Sequence, residues 1–174
     1  IIEIGAVKIK NGEIVDKFST FVNPKVPISF KIENLTGIND SMVIDAPVIE
    51  EILPKFLEFC KDAVLVAHNA EFDTSFIINK AEKMGIETEF TYIDTVLLGQ
   101  FAVPHLSNYK LDTLAKHLNV SLENHHRAVD DAQATADIFI KLIDILAKRD
   151  IFTLDKLNEE GKLDDNAIKK LHQY

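Results

Sequence analysis

The sequence predicts an α/β fold in which an antiparallel hairpin leads and parallel strands with intervening helices follow. The first observation is a pair of β-rich runs, residues 1–10 and 13–22, joined by an Asn-Gly pair, which is a strong hairpin signal. The second is a continuous apolar run at residues 63–67, typical of a strand buried on both faces. The third is a helical periodicity after each later strand, which ends in a long helix at about residues 128–148.

The composition is that of an ordinary globular domain. The 174 residues are enough for one domain with a core, and 47% are hydrophobic and 27% charged. Neither a bilayer-spanning apolar run nor a signal peptide is visible, and the single cysteine, Cys60, fits a reducing compartment. We therefore expect a cytoplasmic protein with no membrane partner. The net charge of −9 argues against phosphate binding by the bulk surface, but not against a nucleic-acid enzyme whose metal ions supply local positive charge.

The segment after the hairpin is predicted to contain two helices. A connection at residues 28–46 includes a short helix around the Leu-Thr-Gly-Ile of residues 35–38. A longer helix follows at about residues 47–61, capped by Asp45 or Ala46, with a proline in its first turn. Its apolar face is predicted to comprise Val48, Ile52, Phe56 and Phe59.

The apolar strand at residues 63–67 leads into a helix that carries a carboxylate. This helix is predicted to run to Met84 and to be closed by Gly85. The inner arc of the helix is predicted to comprise Phe76, Ile77, Ala81 and Met84. Asp73 points with that arc, just past the end of a buried strand, where ligands bind in α/β folds.

A short strand, another helix and a charged tail complete the order of elements. Residues 91–95 are predicted to form a strand followed by a helix capped by Asp94 or Thr95. For Asp94 we favour capping over a supporting role at a site. A further helix is predicted at residues 110–118, and residues 151–174 form a charged helical extension or linker.

The long helix at residues 128–148 presents a second inward carboxylate. At about 100° per residue, a polar stripe forms its water face: Asp130, Gln133, Asp137, Lys141, Asp144 and Lys148. An apolar arc is formed by Ala134, Ile138, Leu142, Ile145 and Leu146. Asp131 falls inside the apolar arc and needs a partner, because burying an unpaired charge is costly. Asp131 either caps or pairs near the helix N-terminus, where negative charge is favoured, or shares a metal site with His126 in the preceding loop.

Three blocks of this sequence, taken together and in this order, resemble the DEDDh (DnaQ-like) 3′→5′ exonucleases. They are IEIGAV at residues 2–7, HNAEFD at residues 68–73 and HRAVDDA at residues 126–132. The resemblance implies a ribonuclease-H-like fold, a mixed sheet with helices on both faces. Three further short segments, residues 35–38, 93–95 and 125–128, are most similar to the proofreading exonuclease domain of PolC-type bacterial DNA polymerase III.

The resemblance implies a two-metal hydrolysis at the matched positions. Asp73 and Asp131 would bind two divalent ions, Mg²⁺ or Mn²⁺, because hard cations prefer carboxylate oxygens. His126 would be the general base that takes a proton from the attacking water. The positions that hold the terminal nucleotide would be Asn69, Phe72, Leu35 and Thr36. Phe72 and Leu35 would stack or wedge against the base, with plain core packing as the alternative.

The first motif of that family, D-x-E-T-T-G on the first strand, is absent from this sequence. Glu3 does not replace it, because the resemblance puts Glu3 on the next strand. Without the motif the chain would bind metals poorly and lack a central strand, so we expect upstream residues in the natural molecule. The domain organisation is then residues 1–150 as an exonuclease domain lacking its first strand and motif, and residues 151–174 as a C-terminal helical extension or linker.

The function implied is removal of nucleoside monophosphates from a DNA 3′ end, either single-stranded or a frayed primer terminus. The most similar family places this activity in proofreading, as part of a PolC-type polymerase III α subunit, with the rest of the polymerase chain as partner. Two alternatives stay open: a free-standing nuclease acting on DNA or RNA ends, and a catalytically inactive interaction module.

Overall fold

A computed structural model describes residues 1–122 and 126–150. The described residues divide into two compact units, one formed by residues 1–61, 122 and 126–134, the other by residues 62–121 and 135–150. His125 and the predicted extension at residues 151–174 lie outside the described residues. Within them, no helix is both long and apolar enough to cross a membrane.

The first unit begins with the predicted hairpin. Strand β1 (Glu3–Lys10) pairs antiparallel with strand β2 (Glu13–Phe21), and Glu3 lies opposite Phe21. Both turn residues have positive φ, 54° at Asn11 and 79° at Gly12. That is the conformation of a type I′ turn, which Asn-Gly adopts readily, so the hairpin prediction is confirmed.

Three helices follow in the first unit: α1 (Phe30–Thr36), α2 (Asp40–Val43) and α3 (Ile49–Cys60). The prediction that Asp45 or Ala46 caps α3 is wrong. The N-cap is Val48, whose N–H donates to Oε2 of Glu51 at 3.2 Å, so the helix begins where this side chain reaches back. The buried face of α3 consists of Ile49, Ile52, Leu53, Phe56 and Cys60.

The second unit contains a parallel pair of short strands, β3 (Leu65–Ala67) and β4 (Tyr92–Asp94). The prediction of a strand buried on both faces is wrong, since β3 is half-buried and Val64 beside it is 49% exposed. Among the described strands β3 pairs on one edge only, with β4, which leaves the apolar run incompletely covered.

The described part of the second unit contains helices α4 (Ala70–Lys83), α5 (Thr95–Ala102) and α6 (Leu111–His117), together with the later residues of a long helix. The predicted inner arc of α4 is partly wrong. Its buried residues are Ala70, Thr74 and Ala81, whereas Phe76 is exposed. Asp73 is also exposed and does not point into the core. The packed face of α4 consists of small side chains. The prediction located this face by its large apolar residues and therefore missed it.

The long helix α7 (Ala128–Ala147) has residues in both units. Four of the five residues predicted for its apolar arc are buried: Ala134, Ile138, Leu142 and Leu146. Asp130 and Asp131 are both half-buried, so exposure does not separate them as the helical periodicity predicts. The hydrogen bond that Asp131 accepts from the His126 N–H distinguishes the two aspartates.

Candidate active site

The third sequence block brings His126 and Asp131 into contact in the first unit. His126 lies in the turn before α7, and its backbone N–H donates to Oδ2 of Asp131 at 3.2 Å. Asp131 lies in the first turns of α7, where its own N–H donates to the carbonyl of Arg127 at 3.0 Å. The φ of His126 is 79°, a left-handed conformation that residues with a Cβ rarely adopt. The predicted base and the predicted metal ligand are therefore neighbours.

Glu3 and Arg127 form an ion pair that the sequence reasoning missed. Glu3 Oε1 accepts from Arg127 Nη2 at 2.9 Å, and the Glu3 side chain is only 6% exposed. The hydrogen bond that Arg127 donates to Glu3, with the charges of Glu3 and Asp130, raises the pKa of Arg127, although desolvation lowers it. The available signal was a glutamate inside an otherwise apolar run, which is unusual unless the charge is paired.

Asp94 organises the second unit at the carboxyl ends of its strands. The residue is 7% exposed, and its carboxylate accepts from the N–H groups of Asn69 at 3.2 Å, Ala70 at 3.0 Å and Val96 at 2.8 Å. The bond to Val96 is the predicted cap of α5. The other two bonds tie the start of α4 to the same carboxylate, and they support Asn69 in its left-handed conformation, with φ of 65°. Asp94 therefore both caps a helix and supports the second sequence block.

Asp73, one turn into α4, has a carboxyl whose surroundings in the described part of the chain disfavour the charged form. Although its surface is partly exposed, desolvation raises the pKa of its carboxyl, and the negative charge of Asp94 raises it further. Among the described residues no hydrogen bond or ion pair to the Asp73 side chain is found. A carboxylate in this position is well suited to bind a cation, which would relieve the repulsion.

One carboxylate in each unit, Asp131 in the first and Asp73 in the second, fits a divalent metal ion in chemical type. Asp73 and Asp131 offer carboxylate oxygens, the ligands that hard cations prefer. Within residues 1–122 and 126–150, however, no group of three or more potential ligands is assembled. The fit therefore rests, in each unit by itself, on the oxygen chemistry of the carboxylate, and at Asp73 also on the raised pKa of its carboxyl.

Two predicted nucleotide-binding side chains, Phe72 and Leu35, are on the surface. Phe72 on α4 is 61% exposed, and Leu35 on α1 is 49% exposed, so the core-packing alternative is wrong for both. The Phe72 ring meets Phe76 edge-to-face, with centroids 5.0 Å apart. The Thr36 hydroxyl, in contrast, forms a hydrogen bond within its own helix, where it donates to the Ile32 carbonyl at 2.8 Å.

Comparison with known proteins identifies the family. The exonuclease (RNase_T) family model matches residues 1–139. The PolC-type DNA polymerase III of Caldanaerobacter subterraneus subsp. tengcongensis is 57% identical over 174 residues, which is 100% of this chain and 12% of that protein. The corresponding protein of Clostridium perfringens is 52% identical over 172 residues, 98% of this chain and 12% of that protein. The chain thus spans about an eighth of these relatives.

Solved structures of exonucleases share the fold. Exonuclease X in complex with 5′ overhanging duplex DNA aligns with a TM-score of 0.71 at 27% identity, covering 91% of this chain and 89% of that one. The nuclease domain of 3′hExo, a DEDDh family member bound to rAMP, aligns with a TM-score of 0.70 at 22% identity, covering 82% and 80%. The predicted ribonuclease-H-like α/β fold and the exonuclease resemblance are therefore confirmed. The chain belongs to the exonuclease family.

Proposed function

We propose that this chain is the proofreading 3′→5′ exonuclease domain of a bacterial PolC-type DNA polymerase III α subunit, acting in the cytoplasm. The observation that carries the proposal is the 57% identity to such a polymerase along the whole chain. The substrate is the 3′ end of DNA, single-stranded or frayed from the primer terminus, and the product is a nucleoside monophosphate. The remainder of the polymerase chain is the partner that delivers this end.

The proposed chemistry uses residues from both sequence blocks. Two divalent ions, Mg²⁺ or Mn²⁺, would lower the pKa of the attacking water and stabilise charge on the oxygens of the transition state. Asp73 and Asp131 would hold these ions through carboxylate oxygens. The His126 imidazole accepts the proton of the attacking water through a ring nitrogen, as a general base. The raised pKa of the Asp73 carboxyl, caused by desolvation and by the charge of Asp94, supports its part in this arrangement.

The substrate-binding side chains are proposed from their exposure. Phe72 and Leu35 offer uncovered apolar surface, and stacking or wedging against a terminal base requires such surface. This contact tolerates every base, as proofreading of any mismatch demands. Asn69, at the amino end of α4, and Thr36 complete the predicted nucleotide-binding set.

A labelled-end digestion tests the proposal. Single-stranded DNA labelled at its 3′ or 5′ end is incubated with Mn²⁺, with and without EDTA, using the protein that contains this chain and its Asp131→Asn variant. We expect metal-dependent shortening from the 3′ end that the variant loses. Matched RNA in the same assay distinguishes the free-standing nuclease acting on RNA. Absence of hydrolysis by a folded wild-type protein would favour the inactive interaction module instead.

A further inference from the structure

The junction between β1 and α7 contains a polar network to which the proposed chemistry gives no role. Glu3 accepts from Arg127 through both Nη2, at 2.9 Å, and Nε, at 3.3 Å. The other oxygen of Glu3 accepts from the backbone N–H of Ala128 at 2.9 Å. Ala128 is the first residue of α7, so a side chain from a distant strand binds one of the unpaired N–H groups of the helix.

Arg127 is fixed from a second side by Phe21. The guanidinium carbon lies 5.3 Å from the centroid of the Phe21 ring, a cation–π distance. Phe21 is the residue opposite Glu3 in the hairpin register, so one strand pair supplies both contacts. Only about a third of the Arg127 side chain is exposed (35%), and its planar fork permits one orientation against the carboxylate.

The backbone of α7 approaches β1 closely at the same junction. A Cβ on Gly5 would overlap the backbone atoms of Ala128 and Val129. The first turn of α7 therefore rests directly on the strand two residues after Glu3. Glu3 and Gly5 together set where the helix begins and how closely it lies against the hairpin.

We propose that Glu3 and Arg127 are positioning residues for the His126–Asp131 pair, an inference that rests on the proposed function. Arg127 directly follows His126, and its carbonyl accepts from the Asp131 N–H at 3.0 Å. The left-handed φ of His126 is unfavourable and is held by its neighbours, which include the bond from its N–H to Asp131. A shift of Arg127 would thus displace the base and the metal ligand together.

Kinetics of four variants test this inference in the full protein that carries the chain. The variants are Glu3→Gln, Arg127→Met, Arg127→Lys and the double Glu3→Gln/Arg127→Met. Loss of either partner should lower kcat by about 10–100-fold, as for other residues that orient metal ligands, while KM for single-stranded DNA stays within about threefold. Lysine keeps the charge without the fork, so Arg127→Lys should recover part of the loss. The double variant should be no worse than the single ones, because both belong to one network.

A second readout does not depend on turnover. Hydrogen exchange of the metal-free protein should accelerate over residues 126–134 in the Glu3 and Arg127 variants and remain unchanged elsewhere. Glu13→Gln, an exposed carboxylate on the same hairpin, is the matched control for both readouts. The double variant leaves no unpaired buried charge. It therefore replaces a single variant in both measurements if that single variant does not fold.

The outcomes separate this inference from the proposed function. If Glu3→Gln and Arg127→Met keep normal kcat while His126→Ala and Asp131→Asn are inactive, the positioning role is wrong and the exonuclease assignment stands. If exchange rises throughout the molecule and KM rises with the fall in kcat, the pair is merely structural and the inference also fails. If His126→Ala and Asp131→Asn turn over normally, the assignment of the site itself is wrong.

Discussion

At the scale of single residues, two adjacent aspartates at the start of α7 have different surroundings. Asp131 accepts a hydrogen bond from the His126 N–H, whereas Asp130 acts through its charge on Arg127. Both are half-buried, so simple exposure does not reveal which of them serves the reaction. The hydrogen bond from the His126 backbone N–H supports the proposal that Asp131, and not Asp130, binds the metal.

Substitution of the two aspartates by asparagine distinguishes their parts. Asp131→Asn should lower kcat by at least about 100-fold, because it removes the charge of the proposed metal ligand. Asp130→Asn should change kcat by less than about threefold, since its charge only supplements the Glu3–Arg127 pair. Steady-state digestion of single-stranded DNA measures both, with His126→Ala as the inactive reference. The reverse order of effects would show that Asp130 is the ligand.

At the scale of elements, the packing of α7 on β1 depends on one missing side chain. Gly5 lies inside a strand, where glycine usually weakens pairing. Here it permits contact with the backbone of Ala128 and Val129, and backbone atoms cannot rotate away as a side chain can. The close packing of α7 on β1 therefore requires a residue without a Cβ at this position.

Gly5→Ala should lower the free energy of unfolding by about 1–3 kcal/mol, because the added methyl forces the helix and strand apart. Chemical denaturation followed by circular dichroism measures the change. Gly99→Ala is the control, since its Cβ would meet the side chain of Leu114 at 3.1 Å, which can adjust. A Gly5 variant as stable as wild type would mean that α7 shifts without cost.

Local patterns predicted the elements better than they predicted which faces are covered. The Asn-Gly turn, the cap at Asp94 and the long α7 follow from backbone chemistry or periodicity within a few residues. The face of α4 was misjudged because small residues such as Ala70 and Ala81 pack closely while Phe76 stays outside. The Glu3–Arg127 pair joins residues 124 positions apart, and no local pattern encodes such a distance.

At the scale of the whole molecule, the charge on Asp73 opposes folding in the absence of metal. The pKa of its carboxyl is raised in the folded protein by desolvation and by Asp94, so the fold favours the protonated form. Such a group contributes stability at low pH and loses it as pH rises through the folded pKa. At neutral pH the ionised side chain therefore destabilises the metal-free protein, a cost that cation binding would offset.

Asp73→Asn should raise the melting temperature of the EDTA-treated protein at pH 7, because it removes the ionised form. The difference from wild type should narrow as pH falls and Asp73 becomes protonated. Added Mn²⁺ should stabilise wild type more than the variant. Differential scanning fluorimetry across pH measures the melting temperature at pH 7, its dependence on pH and its response to Mn²⁺. Glu82→Gln on the same helix is the control. A variant that melts below wild type at pH 7 in EDTA would contradict this account.

The close fit of β1 to α7 has a consequence for heredity if the domain proofreads. Glu3 and Gly5 touch no reactive atom, yet a change in either would slow removal of mispaired ends while leaving chain elongation to the rest of the polymerase. A cell with such a change would copy its chromosome at normal speed and keep more errors. Mutator strains would therefore arise from this strand as well as from the reactive side chains.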